Sequence, residues 1–157
     1  MKIVINDLQD KITLNEEQLA KINEVLEKSA DSYEISPNSE ISLVFVDDAL
    51  SKKLNYEYRN KNVPTDVLSF TMKNRDDEPE IIGGPDDDEL LLGDIVISLE
   101  TAKRQAEEYN HDLLREVAFL TIHGMLHILG YDHDTEEARA EMREEEEYLL
   151  SLCKIER

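Results

Sequence analysis

The chain has 157 residues with 37 acids against 17 bases, a formal net charge of −20, and 40% hydrophobic residues. That length fits one domain able to bury roughly 70% of its unfolded surface without disulfide staples, and the apolar content excludes a disordered chain. The charge excludes a general DNA-coating or anionic-membrane role, because approach to phosphate begins uphill.

In chain order, Lys2–Asn6 alternates and is β-branched, which predicts a strand. Leu14–Ser29 has a helical period, with Leu19, Ile22, Val25 and Leu26 on one face. Asp31–Ser39 contains Ser-Pro-Asn-Ser and reads as a loop before a second strand, Glu40–Val46. Asp47 or Asp48 then caps a short helix through Tyr58. A third strand, Asp66–Met72, is entered through Pro64, and Lys73–Glu89 reads as a hairpin-like excursion rich in acids, Gly and Pro. Leu91–Ser98 is a further strand, and Ser98 with Thr101 opens a helix to about Tyr109. Asp112 caps a long apolar helix to about Leu129, ended by Gly130. Asp134 with Glu137 resembles a capping box for a last acidic helix. The expected architecture is α+β in one domain over residues 1–157: a small mixed sheet packed with helices around a central apolar helix.

The charge is unevenly placed. Asp76–Asp94 holds nine acids and no base, and Asp134–Glu147 holds eight acids and two bases. Between Ser51 and Arg75 the sign reverses: Lys52, Lys53, Arg59, Lys61, Lys73 and Arg75 face only Glu57 and Asp66. The acidic Asp76–Asp88 stretch lacks the alternating spacing of a calcium loop. One cysteine, Cys153, permits no internal disulfide and suits a reducing cytoplasm, and no apolar run is long enough to span a membrane.

The chemistry concentrates in His123-Gly-Met-Leu-His127-Ile-Leu-Gly130-Tyr-Asp-His133. Residues four apart on a helix project from one face, so His123 and His127 can share an ion. Gly130 can reverse the chain and bring His133 to the same ion as a third ligand. Three neutral imidazoles leave a tetrahedral metal one open position, the arrangement of catalytic zinc, although nickel and copper also favour imidazole. Metzincin proteases place a glutamate general base after the first histidine. Here that position is Gly124, so peptide hydrolysis lacks its base. His111 reads as a surface residue. Asp132 either orients a ligand ring or caps the turn, Asp66 caps or bonds backbone rather than catalysing, Asp94 reads as a turn residue at the start of a strand, and Tyr131 could stack a base but reads first as a core residue.

The motif His-Gly-x-Leu-His-x-x-Gly-Tyr-Asp-His resembles the hallmark of the YbeY family of bacterial single-strand-specific endoribonucleases. Leu54-Asn55 with Tyr58-Arg59, the run Pro64–Phe70, and Leu92-Gly93-Asp94-Ile95 resemble its further signatures. Thr71 departs from the proline that members more often carry after this strand. The resemblance implies His123, His127 and His133 as metal ligands and Arg59 as a functional arginine. It also implies maturation of small-subunit rRNA at its 3′ end, a part in ribosome quality control, and a cytoplasmic site of action. The implied partners are a single-stranded rRNA precursor, a small-subunit ribosomal protein and an Era-type GTPase, with no role for DNA or membrane. Arg59 suits a phosphate because its planar fork matches the oxygens. Two alternatives are a peptidase or amidase with a metzincin-like cage, and a non-catalytic ribosome-assembly factor whose metal only braces the turn.

Overall fold

Alternating apolar residues build the sheet. In the computed structural model, which describes residues 1–71 and 90–155, the strands are β1 (Lys2–Asp7), β2 (Ser39–Val46), β3 (Val67–Thr71) and β4 (Leu90–Ser98). Their spatial order is β1-β2-β4-β3. β1 and β4 run parallel to β2 on either side, and β3 closes the sheet antiparallel to β4. The mixed sheet and the α+β class are as expected. The Lys73–Glu89 excursion and its acidic run lie outside the described residues, as do Lys73 and Arg75 of the basic window.

Along β2, Ile41, Leu43 and Phe45 enter the main core, while Val46 joins a smaller cluster with Leu68 and Val96. On β4 the same alternation holds for Ile95 and Ile97 against Val96. Leu92 also faces the main core, although its parity is wrong, because the pairing with β2 slips between Glu40 and Ile41. Gly93 sits at this slip with φ +153°, and a Cβ there would lie 2.0 Å from the Phe70 carbonyl oxygen. Only glycine lets β3 and β4 approach so closely. Asp94 therefore lies within β4, opposite Phe70, rather than in a turn at the start of the strand.

The helices are α1 (Glu16–Ser32), α2 (Asp48–Arg59), α3 (Leu99–Glu108), α4 (Leu113–Ile128) and α5 (Glu136–Leu152). Asn15 and Gln18 form a reciprocal capping box at the start of α1, placing that start two residues beyond Leu14. Asp47 caps α2, Ser98 caps α3 and Asp112 caps α4. The last helix departs from the expected cap. Asp134 donates its N–H to Asp132 within the preceding turn, and Thr135 caps α5 by accepting from Ala138.

α4 is the central helix. Val117, Ala118, Leu120, Ile122, Met125, Leu126 and Ile128 are all in the main core, and α1, α3, α5, β3 and β4 surround it. Leu50 and Leu54 of α2 pack on the smaller cluster instead. The sheet thus separates α2 from the main core, and Arg59 closes the last turn of α2.

Candidate metal centre

The centre is built where α4 ends. Leu129 is the C-cap and Gly130 follows with φ +105°. The Tyr131 N–H bonds the Leu126 carbonyl and the Gly130 N–H bonds the His127 carbonyl, each at 3.0 Å. This paired closure is a Schellman motif, and its left-handed residue turns the chain back over the helix end. His133 is thereby carried toward the two histidines of α4.

The three rings meet. Their centroids are 4.7 Å apart for His123 and His127, 5.1 Å for His127 and His133, and 5.9 Å for His123 and His133. One ligand nitrogen from each lies within 4.8 Å of the others. The Nε2 atoms of His123 and His127 are 3.2 Å apart. A tetrahedral zinc with bonds of about 2.0–2.1 Å needs nitrogens roughly 3.3–3.4 Å apart. His123 and His127 are close to that spacing, and His133 is the exposed member of the cluster. The all-imidazole donor set fits a borderline-soft divalent ion.

Glu146 of α5 was not legible from sequence. Its side chain is only 10% exposed, and Oε2 lies 3.3 Å from Nδ1 of His123. Such a carboxylate holds the proton on Nδ1 and leaves Nε2 free to bind. Burial, then the charges of His123, His133 and Arg59, pull His127 below the ordinary imidazole range, against an opposing pull from Glu146. The neutral ring, with a lone pair for an ion, is favoured accordingly.

An open cleft of about 540 Å³ lies over the histidines, lined also by Arg59, Lys61, Thr65, Asp66, Val67 and Ser69. The structure brings Arg59 to the same cleft as all three histidines. Asp66 lines it but accepts from the Val67 N–H at 2.8 Å, a backbone-bonding role as expected. Asp132 caps its turn by accepting from Asp134, which resolves its two readings. Tyr131 packs on the core, edge-on to Tyr33. His111, expected at the surface, is largely buried between Arg115 and Glu116. The Arg115 guanidinium approaches Nδ1 at 2.7 Å, and Nε2 meets the Glu116 carboxylate. It belongs to the start of α4, not to the centre.

Gly124 has a structural reason. A Cβ there would meet Cγ2 of Ile95 at 2.7 Å, so position 124 faces the sheet and not the histidines. Among the described residues no helix is long and apolar enough to cross a membrane.

The chain is similar to known proteins over nearly its whole length. The family model described as endoribonuclease YbeY matches residues 4–154. The endoribonuclease YbeY of Desulforamulus reducens is 48% identical over 157 residues, covering all of both chains. That of Clostridioides difficile is 45% identical over 157 residues, covering 100% of this chain and 99% of its own. A solution structure of a Thermotoga maritima protein shares the fold with a TM-score of 0.58 at 24% identity, over 97% of this chain and 91% of that one.

Proposed function

The chain belongs to the endoribonuclease YbeY family, and from that premise we propose that it is a metal-dependent endoribonuclease acting on single-stranded rRNA precursors. The observation that carries the proposal is the convergence of His123, His127 and His133 beside Arg59 in one open cleft. His123, His127 and His133 would hold a divalent ion, with zinc as the best match to three imidazoles. Such an ion supplies Lewis-acid polarisation of a phosphoryl oxygen and a water of lowered pKa.

The chain's own residues do the rest. Glu146 fixes the His123 ring and its tautomer. Arg59 binds the non-bridging phosphate oxygens, where charge builds in the transition state, and Lys61 adds a second cation at the same wall. Desolvation favours the neutral form of His127. A strand with unpaired bases suits the open cleft, and a sparse supply of aromatic residues makes the grip mainly electrostatic.

A peptidase reading loses support from Gly124, since a glutamate at that position would be aimed at Ile95 rather than at a water over the histidines. The finer reading is maturation of the small-subunit rRNA 3′ end and ribosome quality control in the cytoplasm. A small-subunit ribosomal protein and an Era-type GTPase are its proposed partners. Resemblance to the family suggests both, and co-purification tests them.

The experiment is cleavage of labelled single-stranded and duplex rRNA fragments by wild type, His127→Ala and Arg59→Ala protein. The expected result is cleavage of the single strand, loss of activity in His127→Ala, and a fall of 100-fold or more, on the order of one lost oxyanion donor, in Arg59→Ala. Equal cleavage by wild type and His127→Ala would overturn the reading. Folded, metal-loaded protein with no cleavage would favour an assembly factor.

A further inference from the structure

α5 is the most acidic helix described, yet it has two bases, Arg139 and Arg143. They are four residues apart and so share a face. That face is the one turned to the histidines. A cavity of about 230 Å³ is lined by Arg139, Arg143, Met142 and Glu146 of α5 together with Phe119, His123 and His133. His123 and His133 also line the Arg59 cleft, so the two concavities share the centre.

Three acids of α5 are directed elsewhere or engaged. Glu141 lines a separate cavity beside Gly130 and Asp132. Glu145 accepts from the Tyr33 hydroxyl. Glu146 is committed to the His123 ring. Arg139 makes one long contact, at 3.5 Å, to the His133 carbonyl, and among the described residues neither guanidinium is in an ion pair. Among the described residues, two planar cations thus stand without a carboxylate partner at the edge of the centre, in a helix whose other charges would repel a polyanion.

We infer that Arg139 and Arg143 form a second phosphate-binding subsite, so that a single RNA strand crosses the histidine centre between Arg59 and Lys61 on one side and Arg139 and Arg143 on the other. Two anchors flanking the reacting phosphate hold it in register, which one anchor cannot do. Guanidinium groups suit this because their forks match phosphate oxygens. The inference rests on the nuclease reading and extends the path of the substrate through the same site.

The test is binding of a fluorescently labelled single-stranded RNA, read by stopped-flow anisotropy within seconds of mixing, across a salt series. Wild type is compared with R139Q/R143Q and with K11Q/K103Q, which loses the same charge from exposed positions away from the histidines. Each phosphate contact on a single strand contributes about −0.7 to the slope of log affinity against log salt. R139Q/R143Q should lower the slope's magnitude by about 1.4 and weaken binding on the order of tenfold at low salt, while K11Q/K103Q leaves the slope unchanged. Far-ultraviolet circular dichroism and thermal melting check that the variants fold. An unchanged slope in R139Q/R143Q, with wild type still binding and cleaving, would overturn the subsite and leave the nuclease reading intact. An equal fall in both variants would also overturn it, as an effect of net charge. Wild type that neither binds nor cleaves RNA would overturn the nuclease reading and the subsite together.

Discussion

At the scale of single residues, the contact between Glu146 and Nδ1 of His123 decides which ring nitrogen faces the centre. Removing the carboxylate frees the ring to rotate and to change tautomer. Glu146→Ala is expected to lower metal affinity about tenfold or more, measured by calorimetric titration of stripped protein, whereas Glu146→Gln retains a carbonyl acceptor and loses less. Gly124 is fixed by a different force. The Ile95 side chain below it is β-branched and lies in a buried strand, so it cannot yield easily to a new methyl group. Gly124→Ala gains about 1 kcal/mol of helix propensity and loses more to overpacking, for a net destabilisation of about 1–2 kcal/mol in urea unfolding. An unchanged or raised stability would show that α4 can lift off β4 at no cost.

Between elements, Asp48 ties the start of α2 to α3. One carboxylate oxygen accepts from Ser98 at 2.7 Å and Thr101 at 2.6 Å, and the other pairs with Arg104 at 2.7 Å. Burial pushes the Asp48 carboxyl up, but the bonds from Arg104, Thr101 and Ser98 outweigh it and hold it below the ordinary carboxylate value. A lowered folded-state value stabilises the fold above the unfolded value of about 4, and that stability is lost as pH falls through the folded value. Asp48→Ala is expected to cost about 2 kcal/mol at neutral pH. Its difference from wild type should shrink as the pH of denaturant unfolding is taken below about 4. A difference that persists unchanged in acid would contradict the ionic account. The elements also show what sequence could carry. The i, i+4 pair His123 and His127 and the glycine that reverses the chain are local signals, and they place the centre before any fold is known. Glu146 is not local: it stands in the run Glu144–Glu147, where only the packing of α5 against α4 distinguishes the inward acid from its neighbours. The start of α5 differs from the expected cap for a related reason, since Asp134 and Thr135 are both good caps and the turn at Asp132 takes the first. The slip at Gly93 depends on strand pairing, which no single-strand pattern reveals.

For the whole molecule, a charge of −20 and an RNA substrate are reconciled by where the bases lie. The proposed strip through Arg59, Lys61, Arg139 and Arg143 crosses the centre, where Glu146 is held against His123, while Glu141 and Glu145 of the same helix face other surroundings. Four phosphate contacts imply a salt slope near −2.8, so RNA affinity should fall about 50-fold between 50 and 200 mM salt. Duplex DNA of equal length should bind more weakly at each salt concentration in the same anisotropy assay. Tight, salt-insensitive binding of duplex would contradict a narrow admitting strip.

RNA cleavage that depends on an ion held by three histidines is the core of the proposed function. Its most direct measurement is cleavage of single-stranded RNA by chelator-stripped protein as zinc is titrated back. Activity should be absent at the start, return to a plateau at one equivalent per chain, and fail to return in His133→Ala. Full cleavage by the stripped protein, or equal recovery in His133→Ala, would contradict the account.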